Sequence, residues 1–332
     1  MNRTLIWYIL SILFVQTLPA AEQVQSPHAI SHENGGRFGD RVLGYTNARY
    51  LSYSTGIPFL YTTFSYSEHL TIDYDALAAD QHSYKYTNKF YINSAESLAE
   101  FFCKIRDPKE PPTIFVVDYF PSDLSEWDTD YNRSVAFDIP WNDEEFKSYL
   151  KQCLSSRLPI PDFREPGCLN VATHVRTLSG GDTPEGSLAY FPLKHPTSAY
   201  HKRQIKRVYE FNMNRPMHVF LFSDTNKPAE LLQEFREYFR GYDITFNMQM
   251  LEHPDLSNVV QDFFAMQQFD VLIATRSNFS MMAACLGSFD MILYPAHAEG
   301  RWPEPSTIDR VQIISKASDW FPYSINQILK NR

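Results

Sequence analysis

Residues Met217–Asn247, MHVFLFSDTNKPAELLQEFREYFRGYDITFN, decide the fold of this 332-residue chain. The first part, Met217–Ser223, is a nearly unbroken apolar run, which predicts a strand buried on both faces. Lys227–Arg240 repeats apolar residues at helical spacing and is followed by Gly241, a typical helix stop. Asp243–Asn247 is a second strand-like run. Strand, helix and strand in this order predict a parallel βαβ unit.

The same alternation extends on both sides of this unit, from Cys168 to Tyr294. The further predicted strands are Val171–Arg176, Asp270–Thr275 and Asp290–Tyr294, and the further predicted helices are Ser198–Met213, Leu256–Phe269 and Phe279–Leu286. Because strands and helices alternate strictly and the strands are apolar throughout, the pattern predicts an α/β fold with a doubly wound parallel sheet.

The N-terminal half predicts a second, less regular α/β unit. Its predicted helices are Gly39–Ser54, Ala95–Ile105 and Asp143–Leu154, and its predicted strands are Ile57–Tyr61, Lys89–Ile92 and Thr113–Tyr119. The proline-rich segment Leu158–Pro166 is the predicted linker. We therefore expect two Rossmann-like doubly wound domains, residues 28–160 and 166–332, that face each other across a cleft. Ligands are expected beyond the carboxyl ends of the strands.

Composition narrows the class of protein. The chain is 44% hydrophobic and 21% charged, with no low-complexity tract, which excludes a disordered, collagen-like or multi-spanning membrane protein. Its 39 acidic and 30 basic residues give a formal charge of −9, which argues against a nucleic-acid partner. Cys103, Cys153, Cys168 and Cys285 have no metal-ligand spacing. Disulfide pairing in an oxidising compartment and free buried thiols are the two alternatives for them.

Residues 1–21 predict export. A basic start precedes an apolar run, residues 5–15, which is shorter than the roughly 20 apolar residues of a membrane-spanning helix. Small residues follow, so the pattern is that of a secretory signal peptide with cleavage near Ala20 or Ala21. A short uncleaved signal anchor, which would associate residues 5–18 with a membrane, is one alternative. A cytoplasmic protein is the other.

Three loops at predicted helix starts and strand ends carry residues suited to an anionic ligand. In the first, NGGRFGDRVLGY (residues 34–45), Gly36 and Gly39 permit close backbone approach, and the following helix offers free N-terminal amides. This loop lacks the Lys-Ser/Thr ending of a phosphate-loop NTPase and misses the dinucleotide fingerprint. A plain tight turn is the alternative interpretation.

The second loop follows the predicted strand VATHVR. His174 and Arg176 are two residues apart, so they project to the same side of the strand end. Arg176 can hold a phosphate through two parallel hydrogen bonds, with His174 beside it as a further donor. The alternatives are an interdomain salt bridge for Arg176 and a satisfied buried role for His174.

The third loop, TRSNFS (residues 275–280), joins a buried strand to a helix. Ser277, Asn278 and Ser280 at a helix start make an anion site, a simple N-cap being the alternative. A Ser-His-Asp hydrolase is disfavoured because no nucleophile elbow of the G-x-S-x-G kind occurs. The ten histidines form no zincin-type pair, so we expect no metal.

Taken together and in this order, the three loops resemble the fucosyltransferase superfamily of α1,2-, α1,6- and protein O-fucosyltransferases. NGGRFGDRVLGYTNARYLSYSTGIPFLY resembles its opening glycine-rich turn, helix and strand, and HVR at residues 174–176 resembles its H-x-R donor motif. The block from Asp262 to Ser280 resembles its last motif, and Phe222-Ser223-Asp224 falls where the family carries a Ser/Thr-Asp pair. The resemblance covers most of the chain after the leader.

The resemblance implies a GT-B arrangement and an inverting, metal-independent transfer of fucose from GDP-fucose to a glycan or protein acceptor, with no cofactor. It implies that Arg176 neutralises the β-phosphate of the leaving group in place of a metal. It also implies that Glu185, or Asp182 as its substitute, deprotonates the acceptor hydroxyl. The implied donor-binding residues are Gly36, Arg37, Gly39, His174, Asp224, Asp262, Ser277, Asn278 and Ser280.

The chain departs from the family pattern directly after Arg176. Many members continue with a second arginine and an acidic residue, whereas this chain has Thr177 and the stretch Leu178–Gly181. The rival hypothesis is therefore an exported module of the same fold that binds glycans or nucleotides without catalysis. A glycosidase with paired carboxylates is a third hypothesis, although no such pair stands out.

Overall fold

The computed structural model describes residues 26–72, 85–118, 144–177, 194–250, 256–295 and 311–314. The elements of the N-terminal half are β1 (His28–His32), α1 (Phe38–Thr55), β2 (Asn88–Ile92), α2 (Ala95–Lys104), β3 (Thr113–Val117) and α3 (Glu144–Cys153). Those of the C-terminal half are β4 (Leu169–Val175), α4 (Ser198–Phe211), β5 (Met217–Ser223), α5 (Pro228–Tyr238), β6 (Ile244–Asn247), α6 (Leu256–Met266), β7 (Val271–Ile273), α7 (Asn278–Leu286), β8 (Met291–Pro295) and β9 (Val311–Ile314). The predicted α/β class is confirmed.

The C-terminal sheet has the strand order β6-β5-β4-β7-β8-β9. β4 lies between β5 and β7 and pairs in parallel with both. From β4 the chain adds β5 and β6 on one side and then crosses to add β7 and β8 on the other. The crevice at the carboxyl ends of β4 and β7 is therefore the switch point at which open α/β sheets bind ligands. β9, which the sequence did not predict, pairs antiparallel with β8 and is the edge strand of this otherwise parallel sheet.

The N-terminal sheet has the order β1-β3-β2 and is parallel throughout. β1 was not predicted, because three of the five residues of HAISH are polar, yet all five are buried. The predicted strand Ile57–Tyr61 is wrong, since this segment contains only isolated bridge residues, Phe59 and Tyr61, of which Phe59 pairs in parallel with Ile30. The Ile30 N–H donates to the Pro58 carbonyl at 2.9 Å. Pro58 has no N–H with which to extend the ladder.

One hydrophobic cluster joins the two halves of the chain. It contains Ile30 of β1 and Phe115 of β3 together with Phe220 of β5 and most of α7. Within this cluster α1 packs against α7. A Cβ on Gly39 would lie only 2.7 Å from the Cα of Phe279. Glycine at this position therefore allows the N-termini of the two helices to come into contact. Both helices therefore begin at the switch-point edge. The domain boundaries 28–160 and 166–332 stay a prediction.

Candidate active site

The switch point brings together the second and the third of the loops that the sequence singled out. Arg176 follows β4, and its Nη1 lies 3.5 Å from the hydroxyl oxygen of Ser277, 101 residues later. Ser277 is the buried N-cap residue of α7. A guanidinium and a helix N-terminus, two groups that attract anions, therefore meet at one place.

The start of α7 is capped by neutral groups. Ser277 Oγ accepts the backbone N–H of Phe279 at 3.4 Å, and the first turn of α7 holds no acidic residue. Ser280 is fully buried, and its hydroxyl lies within donating distance of the carbonyls of Thr275 at 3.1 Å and Ser277 at 3.3 Å. Ser280 therefore holds the strand-to-helix turn in shape, while Ser277 presents its oxygen toward Arg176.

The glycine-rich loop reaches the same edge from the N-terminal half. Asn278 Nδ2 donates to Asp40 Oδ1 at 2.5 Å, across 238 residues of sequence. The other carboxylate oxygen of Asp40 accepts the Arg37 backbone N–H at 2.7 Å and so caps α1. Gly36 has a φ of +61°, and a Cβ on it would lie 2.6 Å from Asp40 Cγ. The turn before α1 thus requires glycine for its own geometry.

His174 is buried at the end of β4 and is neutral. Its Nδ1 lies 3.3 Å from the Thr275 hydroxyl. Burial lowers the pKa of His174 to about 3, and the charges of Arg176, His201 and His195 act in the same direction. Because a neutral imidazole carries no charge to offer a phosphate, Arg176 is the cation of the H-x-R pair.

Asp262 is a partly buried carboxylate on α6. Its Oδ1 accepts a hydrogen bond from Gln249 Nε2 at 3.0 Å. Burial raises the pKa of Asp262 to about 7, because the charged form loses its water. Near neutral pH this group can therefore change between an acceptor and a donor of hydrogen bonds.

Asp224 follows β5 and contacts the end of the neighbouring strand β4. Its Oδ1 accepts both the backbone N–H of Thr177 at 2.6 Å and the Thr177 hydroxyl at 2.9 Å. Thr177 stands where the resemblance predicts a second arginine. The predicted donor-side residue Asp224 therefore also fixes the segment that carries Arg176.

Two predicted catalytic residues and the leader lie outside the described residues. Glu185 and Asp182 belong to residues 178–193, and residues 1–21 precede the first described residue. Their roles stay predictions.

The prediction missed two residues of this site, Asp40 and Arg276. Arg276 stands between Thr275 and Ser277, is 7% exposed, and adds a second arginine at the switch-point edge. Arg276 could have been predicted from the sequence, because it lies directly between a buried strand and the N-cap residue of a helix. The signal for Asp40 is a carboxylate three residues after the cap position of a glycine-preceded helix.

All four cysteines carry free thiols, so the pairing alternative is not realised in the structure. In the described ranges, no group of three or more His, Cys, Asp or Glu side chains is arranged to hold a metal ion. None of the helices described is long and apolar enough to cross a bilayer.

No protein-family model matches the chain, and no curated protein matches it. Among solved structures, the α-1,6-fucosyltransferase NodZ soaked with GDP-fucose is 14% identical and superimposes with a TM-score of 0.50. The match covers 87% of this chain and 99% of that one. The chain has the fold of a fucosyltransferase. NodZ from Bradyrhizobium (15% identity, TM-score 0.49) covers 87% of this chain and 98% of its own. A mutant of FUT1 from Arabidopsis thaliana in complex with GDP (12% identity, TM-score 0.49) covers 86% and 74%.

Proposed function

We propose that the chain is a glycosyltransferase that moves fucose from GDP-fucose to a glycan or protein acceptor, with inversion at the anomeric carbon and without a metal. The observation that carries this proposal is the meeting of Arg176 with the N-terminus of α7 at the switch point. GDP-fucose is the donor because the similar NodZ structure was soaked with GDP-fucose.

In this mechanism the bond between the fucose C1 and the β-phosphate oxygen breaks, and both electrons leave with GDP. Negative charge then grows on the diphosphate, where the Arg176 guanidinium and the first amides of α7 stabilise it. These groups are held in place before the reaction and so do what a metal ion does in other transferases. Ser277 and Asn278 hold the same phosphate.

The acceptor hydroxyl attacks C1 from the face opposite the departing phosphate and loses its proton to a base. We propose Glu185 as this base, with Asp182 as the substitute. Removal of a general base lowers turnover by roughly 10²–10⁴-fold. Glu185→Gln should therefore depress kcat strongly while GDP affinity stays near that of the wild type. A loss in Asp182→Asn alone would transfer the role to Asp182.

His174 and Asp262 hold the nucleoside part of the donor. His174 is neutral and buried and packs 5.4 Å from the ring of Phe279, which lines the same helix start. Asp262 in its ionised form accepts hydrogen bonds, as the N–H groups at the edge of a guanine require.

A binding module without catalysis is the second candidate. It is favoured by Thr177, whose N–H and hydroxyl are both bound to Asp224, at the position where many family members carry a second arginine. Such a module would bind GDP or a glycan and leave GDP-fucose intact.

The deciding experiment is a thermal-shift and calorimetric screen of GDP, GDP-fucose, GDP-mannose and UDP-sugars, with EDTA and then with added Mg²⁺. A ligand at 100 times its Kd stabilises the native state by about 2.7 kcal/mol. We expect GDP and GDP-fucose to raise Tm equally with and without metal. An unmoved Tm rules out the donor site, and GDP binding without fucose release in the presence of acceptors supports the module.

We also propose that the mature chain is exported after removal of residues 1–21. N-terminal sequencing of protein from its native host should begin near Ala21 or Glu22. Full-length protein in the cytosol would contradict this proposal.

A further inference from the structure

We propose that Ser223 and Asp224 form a clamp that positions Arg176 for the diphosphate, so that Asp224 acts through Arg176. This role rests on the proposed function, in which Arg176 neutralises the leaving group. The clamp comprises the side chains of Ser223 and Asp224 and the backbone of Val175 and Thr177.

The geometry of the clamp continues the sheet beyond its last backbone pair. β4 and β5 pair in parallel up to Val175 opposite Ser223. There the Ser223 hydroxyl donates to the Val175 carbonyl at 2.6 Å. One step further, Asp224 Oδ1 accepts the Thr177 N–H at 2.6 Å. The side chains of Ser223, the last residue of β5, and of Asp224, which follows it, thus continue the pairing beyond the end of the backbone ladder.

Arg176 is the residue enclosed by these contacts. The residue before it and the residue after it are both bound to the end of β5, so its backbone is fixed on both sides. A long arginine side chain loses conformational entropy when it binds a ligand. A backbone that is already fixed reduces the entropy that is still lost on binding. Sites that stabilise charge need their groups held to within about 0.5 Å.

The clamp also gives a physical reason for Thr177. Its hydroxyl donates to the same Asp224 oxygen as its N–H, at 2.9 Å. An arginine at this position would carry its donors several bonds away from the backbone and could not make this short local contact. At this position the chain therefore has a contact that fixes Arg176 instead of a second cation.

Asp224 Oδ2 is buried, and within the described residues it has no hydrogen-bond partner. A buried acceptor of this kind could be satisfied by the donor itself, and such a direct contact is the competing role for Asp224. The two roles differ in one measurable way. An effect that passes through Arg176 disappears when Arg176 is removed, whereas a direct contact persists.

The first test measures hydrogen exchange of the segment around Thr177 without any ligand. Asp224→Ala and Ser223→Ala should raise exchange at residues 175–177, and Asp224→Asn, which keeps an acceptor oxygen, should restore part of the protection. Thr225→Val is the matched control, because the Thr225 hydroxyl accepts the Lys227 N–H, while the Thr225 backbone N–H, which donates to Ser223 Oγ, is kept in the variant. Unchanged exchange in Asp224→Ala overturns the clamp.

The second test is a double-mutant cycle of GDP affinity measured by calorimetry. Asp224→Ala should weaken GDP binding by about tenfold in the wild type, corresponding to roughly 1.4 kcal/mol, and by less than about twofold in an Arg176→Ala background. Equal losses in both backgrounds overturn positioning and assign Asp224 to direct donor contact. If the wild type binds no GDP, the proposed function fails, while the exchange measurement still decides whether the clamp exists.

Discussion

The N-termini of helices α1 and α7 are in contact, yet different groups lie at the positive end of each helix dipole. At α1, the carboxylate of Asp40 stands in the first turn and accepts the Arg37 N–H. At α7, the neutral Ser277 is the cap, and Arg176 lies beside it. The first turn of α1 therefore contains a carboxylate and the first turn of α7 contains none, so we expect the α7 end to attract an anion more strongly. Asp40 touches both ends, because its Oδ1 also accepts the Asn278 side-chain N–H. The donor-binding roles of Gly36, Arg37 and Gly39 in the turn before α1 stay a prediction.

The largest effect should come from making α7 resemble α1 by Ser277→Asp. The new carboxylate would cap the helix, pair with Arg176 and repel a diphosphate. Loss of the helix-end contribution, about 0.3–2 kcal/mol, and of the guanidinium contact, about 1.5–3 kcal/mol, predicts a roughly 20- to 5,000-fold weaker GDP affinity with an unchanged or higher Tm. Calorimetry and thermal unfolding measure both.

The matched control for this change is Ser94→Asp, at the N-cap of α2. It introduces the same charge at another helix start and should leave GDP affinity as it is. Equal losses in the two variants would mean that net charge matters and that the α7 terminus has no special role.

The next largest effect is expected for Arg176→Ala. Losing a charge-assisted contact of about 1.5–3 kcal/mol should weaken GDP binding tenfold or more, with the fold intact. Arg240→Ala, which removes an exposed guanidinium after α5, is the control and should bind GDP normally. Wild-type affinity in Arg176→Ala would make Arg176 a structural residue.

The contact between the two helix starts is tested by Gly39→Ala. The added Cβ would collide with the backbone of Asn278 and Phe279, and overpacking of this kind costs about 1–3 kcal/mol. The expected result is a lower free energy of unfolding by chemical denaturation. Ser54→Ala, at an exposed position on α1, should change it by less than about 0.5 kcal/mol. A stability equal to wild type in Gly39→Ala would show that the helices are not in contact.

The smallest effect is the pH dependence that we expect from Asp262. Its pKa is raised by burial from 3.8 to about 7, so its contribution to the stability of the free protein is present below pH 4 and is lost as the pH rises through 7. GDP affinity should change in the opposite direction, because only the ionised carboxylate of Asp262 accepts hydrogen bonds from the nucleoside. The affinity should fall by up to about tenfold for each pH unit below 7.

Asp262→Asn should flatten both profiles between pH 6 and 8. His174, with a pKa of about 3, does not titrate in this window. A GDP affinity that stays constant from pH 6 to 8 in the wild type would remove Asp262 from the donor site.

The sequence predicted the C-terminal half well and the N-terminal half less well, for a physical reason. Strands buried on both faces, such as Met217–Ser223, read as apolar runs, and the structure gives this strand the predicted bounds. β1 is equally buried but contains two histidines and a serine, so its hydrophobic signal is weak. Pro58 sits in an apolar run that looks like a strand, yet it lacks the N–H that a ladder needs.

What the sequence determined by itself is local: the alternation of strands and helices, the neutral cap at Ser277, and the placing of His174 and Arg176 at a strand end. What only the tertiary structure decided is which of these ends meet. Arg176 approaches Ser277 across 101 residues, and Asn278 approaches Asp40 across 238. Such contacts depend on the order of strands in the sheet and on the packing of α1 against α7, and neither leaves a periodic pattern in the chain.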